Sequence, residues 1–158
     1  MIDRLDAKIL NLVQRNNRLT VEQIGDEIGL SASACQRRLS RLRKDGVIRG
    51  DVAIVNPAKV GRSLTMIVEV TLERERADDL AAFKQAMRDH PQVMQCYYVT
   101  GDKDLVLIVA MRDMQEFERF QQTFCTENPA VSRFSTSVVV DPVKVSLALP
   151  VTASRETG

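Results

Sequence analysis

Apolar residues recur with helical spacing through the first third of the chain, and with a strand-like alternation of two through much of the remainder. Leu5, Ile9, Leu12 and Val13 fall at i, i+4, i+7 and i+8, which predicts a first helix from about Asp3 to Asn16. Thr20 and Gln23 have the spacing of a capping box, and Val21, Ile24 and Ile28 supply the buried stripe of a shorter helix that stops at Gly29. Only Gly29, Leu30 and Ser31 separate it from a third helix, capped by Ser31, carrying Cys35, Leu39 and Leu42 on its inner stripe and closed by Gly46. Two helices joined by a short turn containing glycine have the layout of a helix-turn-helix. The β-prone run Val47 to Val55, broken by Arg49-Gly50-Asp51, predicts a small wing, so residues 1–55 read as a winged helix-turn-helix DNA-binding domain.

Asn56-Pro57 through Gly61-Arg62 interrupts the pattern and reads as a linker over 56–62. Leu64, Met66, Val68, Val70 and Leu72 then alternate with Thr65, Ile67, Glu69 and Thr71, as in a strand with two distinct faces. A helix follows from about Arg76 to His90 with the stripe Leu80, Phe83 and Met87, ending before Pro91. Val93 to Thr100 is a second strand, Gly101 to Asp104 a turn, and Leu105 to Met111 a third strand whose continuous apolarity places it centrally. Asp113 opens a helix with Phe117, Phe120 and Phe124 inside, and Val131 to Val140 is the last strand. The order β-α-β-β-α-β predicts a ferredoxin-like domain over 63–150, giving an α+β fold overall with a disordered tail from about Thr152 within 151–158. Both helices lie on one side of such a sheet. The other face, with Ile67, Val99 and Ile108, is too apolar for a monomer, and a homodimer is expected through it.

Charge sharpens this picture. The whole chain carries only +1, but residues 1–62 hold 12 Lys and Arg against 7 Asp and Glu, while the rest hold 10 against 14. A basic head on an acidic body suits a nucleic-acid partner. The third helix concentrates the charge, with Arg37, Arg38, Arg41, Arg43 and Lys44. Its outer face nominates Ser33, Gln36, Arg37, Ser40, Arg41 and Lys44 as DNA-binding residues. Gln36 and Arg37 can make bidentate contacts to base edges, whereas Ser33, Arg41 and Lys44 serve equally well on phosphates. Arg38 lies nearer the buried stripe and is placed to pair within the domain. Double-stranded DNA is therefore the expected partner.

Other chemistry is sparse. Cys35, Cys96 and Cys125 are odd in number and set in apolar patterns, so buried thiols are expected, and with His90 the sole histidine no zinc site or other cofactor is expected. No run approaches membrane-spanning length and the first residues form a polar amphipathic helix, so the expected location is the cytoplasm, with no membrane partner. An enzyme using His90, Cys96 or the pair Asp102 and Asp104 is a poor reading, because no nucleophile and base are legible together. A protein of low sequence specificity that bends or compacts DNA is the stronger alternative.

Several motifs stand in a telling order: Leu5-Asp6-x-x-Ile9-Leu10, Gly29-Leu30-Ser31, Arg38-Leu39-x-Arg41-Leu42, Gly46-Val47-Ile48, Asn56-Pro57, Gly61, and Gly101-Asp102-x-Asp104. Together they resemble the Lrp/AsnC family of feast/famine transcriptional regulators over nearly the whole chain. The resemblance implies a homodimer that often assembles further, commonly to octamers, and regulates genes in response to amino acids. It also implies that Gly101, Asp102, Lys103 and Asp104 form an effector loop at the contact between dimers, with Thr136 lining the same pocket. By chemistry alone the loop has two readings. Gly and Asp are ordinary hairpin residues, but Asp102 or Asp104 can also receive an ammonium, and amides near Gly101 can receive a carboxylate. Lys103 and Leu105 stand where the family commonly has an aromatic, and Phe134 where it has a smaller polar residue. The effector's identity therefore does not transfer from any relative.

Overall fold

Asp3 and Thr20 start two helices by the same device. The Asp3 carboxylate accepts the Asp6 amide at 2.8 Å while the Asp6 side chain accepts the Asp3 amide at 3.2 Å, and Thr20 and Gln23 reciprocate at 3.3 and 2.9 Å. The computed structural model describes residues 1–73 and 77–153 and divides into two units, residues 1–53 with the segment from 144 onward, and residues 54–143. In the first unit α1 spans Arg4–Val13, α2 Val21–Ile28 and α3 Ala32–Lys44. Their inner stripes meet in one core of Ile9, Leu10, Ile24, Cys35, Leu39 and Leu42. Gly29 caps α2 at φ 77°, a left-handed backbone that glycine adopts without strain.

Residues 47–55, where the pattern predicts a wing, form no strand. The amides of Val47 and Ile48 instead donate back to the Leu42 carbonyl at 2.9 and 3.1 Å, and Ile48 packs on the helical core, so those groups are unavailable to a ladder. The end of the chain supplies an unexpected part of this unit. Asn11 and Gln14, one turn apart on and just after α1, each bind backbone in both directions. Asn11 donates to the Val151 carbonyl at 2.8 Å and accepts its amide at 3.2 Å, while Gln14 does the same with Leu149 at 3.0 and 2.7 Å. Val151 packs against the core, so it is held in place rather than being part of a loose tail. Of the tail expected from Thr152, residues 154–158 lie outside the described residues.

The second unit opens with a single 3-10 turn, Pro57–Val60, capped by Asn56. Its strands are β1 Leu64–Leu72, β2 Val93–Tyr98, β3 Leu105–Met111 and β4 Val131–Val138, with helices α4 Ala77–Asp89 and α5 Met114–Gln121 between them. The expected start of α4 at Arg76 lies outside the described residues. All pairings are antiparallel in the order β2-β3-β1-β4, and β3 is central as its composition requires. Met66, Val68, Val70, Leu105, Leu107, Val109 and Met111 fill the helix side with Phe83, Met87, Phe117 and Phe120. On the opposite face Ile67 stands across from Ile108, both half-buried, with Thr65, Glu69 and Ser135 around them.

One buried ion cluster joins α5 to the end of the sheet where β1 and β2 begin and β3 finishes. Glu116 accepts the Arg112 amide at 2.7 Å, Arg62 Nη1 at 2.9 and 3.0 Å and Gln92 Nε2 at 3.0 Å. These donors, the Arg112 amide foremost, hold its carboxyl down at about 2 against an ordinary 4.5. The unfolded chain therefore takes up this proton first as pH falls. The stability contribution is complete above pH 4.5 and disappears toward pH 2. Glu116→Gln should destabilise the unit by about 2 kcal/mol at neutral pH, toward the low end for a broken buried pair because both arginines reach solvent. Urea unfolding of both proteins at pH 7 and pH 3 checks this. The gap should shrink in acid, and a constant gap would show that the carboxylate is not held low.

Candidate functional site

Helix α3 begins where the Ser31 hydroxyl accepts the Ala34 amide at 3.3 Å. It continues for 13 residues, a rod of about 20 Å at 1.5 Å per residue. Cys35, Leu39 and Leu42 face the core, and burial pushes the Cys35 thiol up, leaving an inert side chain. The six nominated residues Ser33, Gln36, Arg37, Ser40, Arg41 and Lys44 are all exposed. They recur at i, i+3, i+4, i+7, i+8 and i+11, so one continuous stripe opposite the core brings them together. Gln36 already reaches Ser40 Oγ at 3.4 Å along it.

The helix is less positive than its sequence suggests. Arg38 Nη1 binds Asp3 at 2.6 Å and Asp6 at 2.8 Å, Arg41 Nη2 binds the other oxygen of Asp6, and Arg43 binds Asp51 at 3.2 Å. The Asp6 amide and then Arg38 hold the Asp3 carboxyl below the ordinary range, while these carboxylates raise Arg38 further. Arg38 thus pairs within the domain. Among the described residues, Arg37 and Lys44 are the cations of α3 that have no ion-pair partner. Sequence reasoning placed Asp6 in a motif but did not foresee its role. A carboxylate in the first turn of an amphipathic helix, beside an inner stripe, is the one signal that marks it.

In the second unit Gly101 has φ 121°, a backbone few other residues adopt, at the tip of the β2–β3 turn. Asp104 is committed to that turn. Its carboxylate accepts the Leu72 amide at 2.8 Å, its amide donates to Val70 at 2.9 Å, and its carbonyl accepts the Val99 amide at 2.9 Å. These bonds pin the turn to the far end of β1, where the β1–β4 register shifts between Thr71 and Leu72. Asp102 stays exposed and Lys103 half-buried. Thr136 pairs with Val68 and so faces the helix side, where its hydroxyl is buried with no hydrogen-bond partner among the described residues. The turn and Thr136 flank opposite sides of β1, so at least two strand spacings, about 10 Å, separate them, and Thr136, level with Val68, is further offset along the strand from the turn at Val70 to Leu72. A 460 Å³ groove between α4 and β2 and a 300 Å³ hollow beside α5 include none of these five residues.

Of the remaining polar candidates, His90 has structural partners and Cys96 packs against the apolar core. His90 packs edge-on against Phe120 and Phe124 at 5.0 and 4.6 Å, and its Nδ1 accepts the Gln92 amide at 3.3 Å. Burial lowers its pKa and raises that of Cys96.

Comparison with known proteins is consistent with both units. Residues 2–49 match the model described as winged helix-turn-helix DNA-binding, and residues 65–149 match the model of the Lrp/AsnC ligand binding domain. An uncharacterised HTH-type transcriptional regulator of Sinorhizobium fredii is 54% identical over 95% of this chain and 89% of its own length. The leucine-responsive regulatory protein of Haemophilus influenzae is 36% identical over 90% of this chain and 86% of its own. Among solved structures, a transcriptional regulator of Neisseria meningitidis in complex with L-methionine superposes with a TM-score of 0.90 at 30% identity, covering 95% of this chain and 97% of that one.

Proposed function

The chain belongs to the Lrp/AsnC family, and on that footing we propose that it is a transcriptional regulator that grips duplex DNA with the outer face of α3 and responds to an amino acid at its second unit. The observation that carries the DNA half is the exposed stripe from Ser33 to Lys44, with Arg37 and Lys44 uncommitted at its centre and end. Arg37 can pair with the two acceptors of a guanine edge, whereas Lys44 is a point charge suited to phosphate. Arg37→Ala should weaken binding to a preferred duplex by about 1–3 kcal/mol and binding to a scrambled one by less. Equal losses in a titration of both duplexes would reduce Arg37 to a phosphate contact.

Support for the effector half comes from the ligand-binding domain match and from the L-methionine held by the neisserial regulator. With Asp104 tied to Leu72, Asp102 is the carboxylate free to receive an ammonium, amides beside Gly101 can take a carboxylate, and Lys103 flanks both. The unpartnered Thr136 hydroxyl is a further polar group awaiting a donor or acceptor. Assembly belongs to this reading. The half-buried Ile67 and Ile108 suit a homodimer through the open sheet face, which would present two α3 helices to half-sites about 34 Å apart, and further association to octamers would place the turn at a seam between dimers. An effector bound at that seam acts by favouring one assembly over another.

The test is a thermal-shift screen against the twenty amino acids, followed by DNA binding and sedimentation with any that bind. A ligand specific for the folded state at 100 times its dissociation constant adds about 2.7 kcal/mol. One clear shift coupled to a change in DNA binding or mass supports the proposal. A screen without shifts would return Gly101 to Asp104 to a plain hairpin.

A further inference from the structure

Asp6 is fully buried, yet its carboxylate gathers three donors from two helices. Oδ1 accepts Arg38 Nη1 at 2.8 Å, and Oδ2 accepts Arg41 Nη2 and, at 3.2 Å, the Asp3 amide. Neither end of this cluster is needed to fill the core, which Ile9, Leu10, Leu39 and Leu42 already occupy. Replacing buried ion pairs by apolar residues is often neutral or stabilising, so stability alone is a weak reason for this arrangement. Its geometry offers a better one. Arg41 sits on the outer stripe between Arg37 and Lys44, one guanidinium nitrogen held from beneath by Asp6 and the side chain 47% exposed. Arg38, at 24% exposed, is drawn inward between Asp3 and Asp6.

We infer that Asp6 is a positioning residue for DNA recognition: it fixes the Arg41 fork on the outer face of α3 and withholds the charge of Arg38 and Arg41 from indiscriminate phosphate binding. A guanidinium already fixed in place loses little freedom when it meets one particular phosphate or base edge, whereas a loose one meets any phosphate nearby. A charge already neutralised releases fewer counterions, which reduces the sequence-blind part of the affinity. Asp6 itself touches no DNA. This inference rests on the DNA-binding reading above.

The test uses the full chain, a duplex recovered from a random pool by the wild-type protein, and a scrambled duplex of equal length, titrated over a range of salt. Asp6→Asn should tighten binding to the scrambled duplex several-fold, steepen the salt dependence by about one counterion per head, and cut the ratio of selected to scrambled affinity about tenfold. Arg41→Ala should then cost less on the selected duplex in the Asp6→Asn background than in the wild type. A structural role alone would lower both affinities by one factor, leave the salt slope unchanged and give Arg41→Ala the same cost in both backgrounds, and that result overturns the inference. Should Asp6→Asn fail to fold, Arg41→Lys keeps the charge without the fork. It should lower the selected-to-scrambled ratio about tenfold, and an unchanged ratio overturns the inference. A wild-type chain that selects no duplex at all would sink the DNA-binding reading itself, an outcome distinct from either variant result.

Discussion

Gly25→Ala is expected to cost the first unit about 4 kcal/mol and to abolish DNA binding, an effect at the upper end for a single methyl group. The reason lies in how the chain turns between α2 and α3. The amides of Gly29 and Leu30 both donate to the Gly25 carbonyl, at 2.8 and 2.9 Å, which draws the turn back over the last part of α2. A Cβ on Gly25 would lie 2.3 Å from the Leu30 carbonyl oxygen and 3.4 Å from its carbon. The obstacle is backbone, so no rotamer change relieves it. Moving Leu30 would carry Ser31 and the start of α3 with it, displacing the exposed stripe proposed to meet DNA. Gly29→Ala is the control, since at φ 77° it meets no atom and should cost about 1 kcal/mol of backbone strain. Urea unfolding of the two variants decides the matter, and equal losses would mean that the crossing relaxes easily.

The second large effect is on salt. Between 50 and 200 mM salt, duplex affinity should fall about a thousandfold, the loss expected for about six neutralised phosphates. That number comes from the ion pairs. Among the described residues, Arg37 and Lys44 on α3 and Arg49 just beyond it have no ionic partner, and counting these three per protomer a dimer brings six to the duplex. Were Arg38, Arg41 and Arg43 free as well, the count would double again and binding would be nearly undetectable at the higher salt. The slope of log affinity against log salt, about −5 in the first case and −11 in the second, separates them in one series of titrations.

Periodicity identified the helices and strands because each element buries one side. A stripe at 3.6 residues or an alternation of two is the direct imprint of that burial. The capping box at Thr20 and the central position of β3 were legible for the same local reasons, whereas the matching box at Asp3 emerged only in the structure. What escaped were features that depend on distant segments meeting. Gly25 looks like a weak point in a short helix until Leu30 is seen crossing above it. Asp6 looks like a first-turn carboxylate complementing the helix dipole until Arg38 and Arg41 arrive from 32 and 35 residues away. Asp104 reads as a turn residue or an effector ligand, and only the approach of β1 shows it bound to Leu72. The alternation Val143, Val145, Leu147, Leu149, Val151 was in plain view, yet no local rule says that its last member packs against helices more than a hundred residues earlier.

That last contact bears on how the protein is made. The carboxamides of Asn11 and Gln14 grip backbone 140 and 135 residues downstream, among the longest sequence separations the chain allows. Synthesis proceeds from the other end, and a domain whose pieces are contiguous can fold as soon as it emerges. Here the second unit is contiguous and the first is not. A ribosome has released all three helices long before it reaches Val151, the last residue to pack against their core. A product that stops short of Leu149 therefore carries all three helices but leaves the carboxamides of Asn11 and Gln14 without their backbone partners and the helical core without the Val151 contact.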